Sequence, residues 1–421
     1  MKTVAFHTLG CKLNFSETSS LGRLLEQEGF VKKNFTESAD VYVINTCSVT
    51  ENADKECKTL VRRIQRRAPE SFIVITGCYA QLKPQEIADI EGVDLVLGAA
   101  EKFNIAAHLK ELTKSRDTAK IYSCDIDDIH GFHSSYSLSD RTRTFLKVQD
   151  GCDYNCSFCT IPLARGYSRS DTIDGVLTEI DKLAGNDIKE IVLTGINLGD
   201  FGKGNEGARR RNEQFSDLVL AIDRQEAVRR FRISSIEPNL LSDHIIDFVA
   251  ESRTFMPHFH IPLQSGSDEI LAKMRRRYRT DLYRSRIERI KDKMPHACIG
   301  VDVIVGFPGE TERHFEETFR FLHDIDISYL HVFTYSERAN TLAVEMDETV
   351  PVPVRKERNK VLSNLSYQKM QYFTENQRGH KRPVLFESNK DGWIEGYSDN
   401  YIRVKTAYQP ELENQIVDWV L

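Results

Sequence analysis

The sequence predicts an α/β protein in three parts: an N-terminal doubly wound parallel sheet, a central partial (β/α)6 TIM-like barrel, and a small C-terminal β-barrel. Three observations carry the prediction. Over residues 1–110 short apolar runs alternate with stretches of helical periodicity, the pattern of parallel strands joined by helices. From residue 144 a second alternating series supplies six strand-like runs, the content of an incomplete β/α barrel. Beyond residue 380 the runs are short and separated by the turn-forming stretches "NKDG" and "SDN", as in a small β-barrel.

Each element follows from its residues. In the first part "TVAFHTL" (3–9), "DVYVINT" (40–46), "FIVITG" (72–77) and "DLVLG" (94–98) read as buried parallel strands. A helix over 16–28 fits between the first two, with Leu21, Leu24 and Leu25 on one face. Another is expected to start near Thr50. Residues 111–143 are polar with weak periodicity, a linker with room for one strand. The central runs are "TFLKVQ" (144–149), "EIVLTGIN" (190–197), "RFRISSIEP" (230–238), "FHIPLQSG" (259–266), "IGVDVIVGFPGE" (299–310) and "YLHVFTYS" (329–336). Helical segments such as 172–184, 281–293 and 311–323 separate them, and a charged helix fits 354–377. "RPVLFES", "WIEGYS", "YIRVKTA" and "QIVDWVL" supply the last strands. The parts divide as 1–112, 144–375 and 376–421.

Composition narrows the class. With 421 residues, 40% hydrophobic and 29% charged, the chain has a globular profile and length for two or three domains. No run approaches the ~20 apolar residues of a membrane span. The opening "MKTVAFHTLG" enters a strand without a signal-peptide pattern, so the expected location is cytoplasmic. In that compartment thiols stay reduced, and nine cysteines point to metal binding or catalysis. A net charge of −6 gives no global sign of a nucleic-acid partner. The basic residues are clumped, however, in "RRIQRR" (62–67), "ARRR" (208–211), "RRRYR" (275–279) and "RKERNK" (355–360). Together these fit a phosphate-binding track; singly, each also fits a solvated helix face.

The stretch "QDGCDYNCSFCTIP" (149–162) sets Cys152, Cys156 and Cys159 in a Cys-x3-Cys-x2-Cys spacing. It follows the first barrel strand, at the end where barrel active sites are built. A structural tetrahedral metal wants four protein ligands, and this loop offers three. Three thiolates suit three irons of a 4Fe-4S cluster, leaving one iron open to a small molecule. The alternative is a zinc knuckle completed by a distant His130 or His133.

A second set of cysteines is scattered: Cys11, Cys47 and Cys78. Each lies just after one of the first three strands. Parallel strands present their C-terminal ends on one edge, so these thiolates converge in one crevice. Asn14 with Glu17 three residues on reads as a capping-box-like pair. Helix N-termini there and near Thr50 favour a negative group such as a thiolate-ligated cluster. Three independent buried cysteines are the alternative. Cys57, Cys124 and Cys298 receive no role.

The Cys-x3-Cys-x2-Cys spacing, with Phe158 before the last cysteine on the first strand of a partial barrel, resembles the radical S-adenosylmethionine superfamily. The resemblance implies that the amino and carboxylate groups of S-adenosylmethionine take the open iron. An electron from the cluster then yields a 5′-deoxyadenosyl radical. It further implies Gly195 and Asn197 of "TGINLG" at the methionine moiety, Ser234 and Glu237 of "SSIEP" near the ribose, and Ile304 and Gly306 of "DVIVGFPGE" at the adenine. A plain βα turn is the alternative for each glycine.

The pair of triplets is similar to what the methylthiotransferase family carries, and the resemblance covers nearly the whole chain. It implies a second 4Fe-4S cluster on Cys11, Cys47 and Cys78 that handles sulfur, and a C-terminal TRAM domain that binds RNA. It implies tRNA as partner and an electron donor such as a flavodoxin-type reductant; it names no sulfur donor. The chemistry is coherent, because an aromatic C–H bond has no acidity to exploit whereas a carbon radical can take it on.

"HTLGCKLNFSET", with its Gly-Cys-Lys-x-Asn, resembles the branch acting on N6-threonylcarbamoyladenosine next to the anticodon, as does "TIPLARGYSRSD" (160–171). The N6-isopentenyladenosine branch has Gln-Met after its first cysteine, and the branch acting on a ribosomal-protein aspartate has Pro-Lys-Asn. A threonylcarbamoyl carboxylate wants a cation, and Arg165, Arg169 and Arg338 are candidates; ion pairs within the protein are the alternative. Residues 376–421 hold six Lys/Arg against seven Asp/Glu, so RNA binding there needs a local face with aromatics such as Trp393, Tyr397 and Tyr401. A non-enzymatic iron–sulfur or zinc RNA-binding module is the alternative of another class. No proton-transfer residue is assigned; Asp150 and Glu237 are nearby carboxylates.

Overall fold

Strand residues with apolar side chains on both faces need helices on both faces, and the N-terminal part supplies them. Its sheet contains β1 (Thr3–Thr8), β2 (Val31–Lys33), β3 (Val41–Thr46), β4 (Phe72–Gly77), β5 (Leu95–Leu97) and β6 (Lys120–Tyr122), all parallel, in the order β2-β1-β3-β4-β5-β6. The helices are α1 (Lys12–Gln27), α2 (Glu51–Arg67), α3 (Cys78–Leu82), α4 (Pro84–Ala88) and α5 (Ile105–Lys110). On one face Leu21 and Leu25 of α1 and Ile105 and Leu109 of α5 pack on Val4, Val43 and Val74. On the other, Leu60 and Ile64 of α2 and Ile87 of α4 pack on Ala5, Ile44 and Ile75. The computed structural model describes residues 2–47, 51–110, 119–129, 131–138, 142–203 and 213–421. Thr50, His130 and the basic clump 208–211 lie outside them.

The four expected strands are present, and β2 and β6 join them at the edges. Both are three residues long and mostly exposed, "VKK" and "KIY", so neither left an apolar run to read. Helix α1 starts at Lys12 with Cys11 as its N-cap, and no side chain caps it. The capping box expected of Asn14 and Glu17 is therefore absent. Asn14 sits inside the first turn and donates to the carbonyls of Leu9 and Thr46, while Glu17 is buried and ion-paired.

The central part begins with β7 (Ser135–Tyr136), β8 (Arg143–Lys147) and β9 (Gln149–Asp150). It continues with α6 (Ile161–Arg165), β10 (Arg169–Ser170), α7 (Ile173–Ala184), β11 (Glu190–Thr194), α8 (Phe215–Gln225), β12 (Arg230–Ile233), α9 (Asp243–Glu251) and β13 (His258–His260). Then come α10 (Asp268–Lys273), α11 (Thr280–Lys293), β14 (Cys298–Val305), α12 (Glu312–Asp324), β15 (Tyr329–Thr334) and α13 (Val352–Asn376). Strands β8, β11 and β12 form parallel ladders, as do β13, β14 and β15. Parallel bridges at Phe231–Phe255 and Ser235–His260 join the two sets. Alternate residues, including Leu146, Leu193, Phe231, Phe259 and Val303, build one apolar core with the helices. Their neighbours on the opposite, inner face are polar: Lys147, Thr194, Arg232, His260 and Asp302.

The last four strands, β16 (Lys381–Lys390), β17 (Trp393–Ser398), β18 (Arg403–Ala407) and β19 (Ile416–Val420), pair antiparallel in the order β18-β17-β16-β19. The ladders make a small sheet with β18 and β19 at its edges. It docks on the N-terminal ends of the central strands. Arg232 donates to the carbonyls of Ser398 and Asp399, Arg230 donates to that of Pro383, and Arg143 pairs with Glu387 at 3.0 Å. Tyr401 stacks on His258 at 4.0 Å and on Tyr397 at 5.0 Å. Two aromatics expected to face RNA are thus part of an internal seam, because their rings complete the apolar end of the central strands. Trp393 differs: it is 49% exposed, with Lys405 Nζ 4.9 Å from its ring. Cys298 is buried in the same seam and Cys57 in the N-terminal core. No helix among the described residues is long and apolar enough to cross a membrane.

Candidate active site at the strand ends

The loop after β9 turns back through α6 to β10, and this hairpin-like return holds Cys152, Cys156 and Cys159. Each sulfur accepts one N–H: Cys152 from the Tyr154 backbone at 3.4 Å, Cys159 from the Ile161 backbone at 3.4 Å, and Cys156 from the Arg276 guanidinium at 3.1 Å. Burial pushes the thiols of Cys152 and Cys159 up to about 12, and that of Cys156 up against the opposing charge of Arg276. A metal that binds them must displace their protons and then offsets the cost of buried thiolates. Among the described residues, neither cysteine triplet brings all three sulfurs within 4.8 Å of one another. A single zinc would need its sulfurs about 3.8 Å apart, from Zn–S bonds of roughly 2.3 Å. The wider set fits a cluster of several metals, and His133 does not complete it. His133 stacks on Phe103 and lines another cavity with Lys147 and Arg169.

Beside this loop lies a cradle. Phe158, Cys159, Gln264, Asp302, Ile304 and Phe333 line a cavity of about 230 Å³ with mostly apolar walls. At the end of β11, Asn197 is 2% exposed and neither its amide nitrogen nor its amide oxygen has a partner. A buried amide without partners costs free energy unless a ligand completes it, and the α-amino and carboxylate groups of S-adenosylmethionine offer both a donor and an acceptor. Phe158, Ile304 and Asn197 therefore fit that cofactor. The other expected contacts are placed differently. Gly195 packs against Gln149, whose Oε1 would lie 2.8 Å from an added Cβ. Gly306 packs against Arg355, whose Cγ would lie 2.3 Å from one. Ser234 is buried at the end of β12. Glu237 is held by Arg276, so the same guanidinium spans Glu237 and Cys156.

The N-terminal triplet comes together at the ends of β1, β3 and β4. Gly10 has φ +105°, and an added Cβ would sit 2.6 Å from the Cβ of Cys47; Gly77 has φ +98°, and its Cβ would sit 2.3 Å from the Thr46 carbonyl oxygen. These two glycines let the strand-end turns close on one another. Cys11 is exposed, Cys47 half-buried and Cys78 buried. Burial pushes the Cys78 thiol up while Arg165 opposes, and Cys11 lies near enough to act on it too. Three thiols at one sheet edge can hold a metal cluster.

Between the triplets runs a buried charge network. Glu17 is fully buried and meets Lys102 at 2.8 Å, Lys147 at 3.1 Å and Arg165 at 3.0 Å. Asp150 meets Arg165 at 2.9 Å, Lys147 at 3.3 Å and Arg169 at 3.4 Å. Burial pushes both carboxyls up, but Arg165, the lysines and, at Asp150, Arg169 outweigh it and hold them well below the usual carboxylate range. Arg165 also donates to Asn14 Oδ1 at 2.7 Å. Arg338 is buried against Asp54 at 2.8 Å. The three arginines expected to meet a substrate carboxylate are thus held by this chain's own carboxylates, Arg165 and Arg338 across the junction of its parts and Arg169 within the central part.

Two basic clumps expected on a phosphate track are partly drawn inward, while Arg275, Arg277, Arg279, Lys356 and Lys360 stay exposed. Arg276 serves the cysteine loop, and Arg277 lies over the Tyr154 ring at 3.9 Å. Arg355 pairs with Glu337 and Arg358 with Glu310. Arg62 and Arg63 of α2 face solvent. Sequence reasoning missed His260, whose Nε2 lies 2.9 Å from Asp302 Oδ1 and whose Nδ1 lies 2.7 Å from Ser235 Oγ. It also missed Lys12. Its side chain lines a cavity of about 290 Å³ together with Arg143 and Arg232 and is open to solvent. The period-2 alternation of the central strands was the available signal for His260; for Lys12 it was its place in the Gly-Cys-Lys-x-Asn signature.

Comparison with known proteins accords with this geometry. Residues 3–98 match the model described as uncharacterized protein family UPF0004, and residues 146–322 match the radical SAM superfamily. The chain is 38% identical to threonylcarbamoyladenosine tRNA methylthiotransferase MtaB of Bacillus subtilis, covering 99% of this chain and 93% of that one. It is 36% identical to the MtaB of Aquifex aeolicus over 96% of each. A tRNA-2-methylthio-N(6)-dimethylallyladenosine synthase of Clostridium botulinum is 31% identical over 83% of this chain and 78% of its own. Among solved structures, the radical S-adenosylmethionine methyltransferase TsrM of Kitasatospora setae superposes with a TM-score of 0.59 at 15% identity, over 82% of this chain and 77% of that one; this likeness is one of fold. Similarity of this level over almost the entire length of such relatives places the chain in the radical S-adenosylmethionine methylthiotransferase family, in its threonylcarbamoyladenosine branch.

Proposed function

We propose that the protein converts N6-threonylcarbamoyladenosine next to the anticodon of tRNA to its 2-methylthio derivative, using S-adenosylmethionine and two 4Fe-4S clusters. The observation that carries the reading is the second cysteine triplet at the ends of β1, β3 and β4, since radical chemistry alone gives it no task. In this reading Cys152, Cys156 and Cys159 hold one cluster and Cys11, Cys47 and Cys78 the other. When bound, the first cluster and S-adenosylmethionine supply a carbon radical able to take on an aromatic C–H bond.

The chain's residues act by position. Arg276 and two backbone N–H groups steady the thiolates of the first triplet. Asn197 presents its unpaired amide to the methionine end, and Phe158 and Ile304 wall the adenine. In the finer fold reading the six central strands form a partial (β/α)6 barrel around the inner face. The C-terminal sheet is then a TRAM-like barrel that meets RNA through Trp393 and Lys405, and a flavodoxin-type protein delivers electrons. The dimethylallyl nucleoside is the second reading, supported by relatives at 31% identity. Its apolar group would have to face Lys12, Arg143 and Arg232.

The test uses anaerobically reconstituted protein with reductant, S-adenosylmethionine and tRNA bearing either nucleoside, followed by digestion and mass spectrometry. A methylthio mass gain on the threonylcarbamoyl nucleoside alone is expected, and Cys11→Ala should abolish it while 5′-deoxyadenosine is still formed. A gain only on the dimethylallyl nucleoside would overturn the branch, and formation of 5′-deoxyadenosine with neither product would overturn the substrate class.

A further inference from the structure

The inner face of the central strands ends in a cavity of about 290 Å³ whose walls include Lys12, Phe145, Arg143, Arg232, His258 and Tyr401. Its cations are not alike. Arg232 is answered by Glu190 at 2.8 Å, and Arg143 by Glu387 at 3.0 Å. Lys12 has no hydrogen-bond or ion-pair partner among the described residues. Asp302 is the carboxylate that acts on Lys12, and its Oδ1 is already engaged by His260 at 2.9 Å. Lys12 also follows Cys11 directly and opens α1, so its position relative to the N-terminal triplet is fixed by the helix. The Lys12 side chain lines this cavity and stays open to solvent; an ammonium so placed, beside arginines that already have carboxylate partners, is free to receive an anion from outside the chain.

We propose that Lys12 is the residue that reads the substrate's carboxylate: it receives the threonylcarbamoyl carboxylate in this cavity and so selects the acidic nucleoside over uncharged N6-substituted adenosines. The assignment rests on the threonylcarbamoyl reading above and adds the residue that enforces it. Arg165, Arg169 and Arg338 are already engaged by buried carboxylates of this chain, Arg165 by Glu17 and Asp150, Arg169 by Asp150 and Arg338 by Asp54. The cavity is of a size for a threonine-like group. The residues beside Lys12 divide the work: Phe145 offers an apolar wall, and Arg143 and Arg232 add a positive field without giving up their own partners.

The test uses the reconstituted full-length protein and two anticodon stem-loop RNAs, one bearing threonylcarbamoyladenosine and the other its methyl ester, which keeps the shape and removes the charge. Dissociation constants are measured for wild type, Lys12→Met and Lys12→Arg. Wild type is expected to prefer the acid by about 10- to 100-fold, the range of one charge-assisted hydrogen bond. Lys12→Met should bring the ratio near one, and Lys12→Arg should keep most of it. Because the ratio is taken within one preparation, a variant that loads less iron still reports it. A preference that survives in Lys12→Met overturns the assignment. Equal weakening of acid and ester overturns it too, since that is the signature of a lysine serving the cluster or the RNA backbone. The functional reading fails by a different result, the absence of methylthio product from the acid RNA with wild-type protein.

Discussion

Glu17 shows how much one side chain can hold when its partners are remote. It lies 85 residues from Lys102, 130 from Lys147 and 148 from Arg165, yet touches all three with no exposed surface. Removing one partner of such a network strands the others in a low-dielectric interior. We expect Glu17→Gln to destabilise the protein by about 3 to 5 kcal/mol, read by denaturant unfolding of metal-free protein; a loss under about 1 kcal/mol would mean that water reaches the site. The same distances explain what the sequence hid. The radical triplet was legible because three cysteines within eight residues carry their own geometry. The N-terminal triplet was legible because each cysteine closes a recognisable strand. Arg165, Arg169 and Arg338 stayed open between substrate and internal ion pairs because nothing in a linear sequence says which carboxylate a guanidinium will meet. Lys12 entered only as part of the Gly-Cys-Lys-x-Asn signature and without a role, because a linear sequence does not say which cavity a lysine will line.

Among elements, the C-terminal sheet is held by a seam whose character its composition does not reveal. Tyr401 stacks on His258 and closes the apolar ends of β14 and β15 with Cys298, Tyr329 and Phe373. We expect Tyr401→Ala to cost about 2 kcal/mol or more and to expose the connection after α13 to protease, seen as faster release of a fragment near residue 380 in limited digestion. Unchanged cleavage would show that the arginine–carbonyl bonds suffice. Trp393→Ala should leave cleavage alone and weaken tRNA binding, because its ring lies outside the seam. The elements themselves were mostly readable, since helices α7, α11, α12 and α13 begin and end within two residues of their periodic patterns. Strands β2 and β6 were not placed, because a three-residue exposed edge strand is too short to show an alternation; β6 lies in the linker where one strand was expected. The docking of the sheet was not either, because aromatic spacing does not distinguish a ring that meets a nucleobase from one that meets a histidine.

For the whole molecule, acid should act in two stages. Burial lowers the pKa of His7, His133, His258, His296 and His331, so each binds its proton less readily in the folded state than the usual 6.5. Below that value the unfolded chain holds more protons, and stability falls as pH falls. Glu17 and Asp150, held below the usual range, extend the loss beneath about pH 4, where unfolded carboxylates protonate. The thermal midpoint of metal-free protein should therefore drop between pH 7.5 and 5.5 and drop again below about 4; a midpoint that is flat or rises over the first interval refutes the histidine account. One feature ties these scales together. Helix α1 carries Cys11 at its cap, Lys12 in its first turn and Glu17 one and a half turns on, about 9 Å along a rigid rod. A shift of the cap cannot leave the rest in place. Any displacement of Cys11 is therefore carried to Glu17 and its partners Lys102, Lys147 and Arg165. The cap and the buried junction thus move as one lever, so a push at the strand ends is felt where the parts of the chain meet.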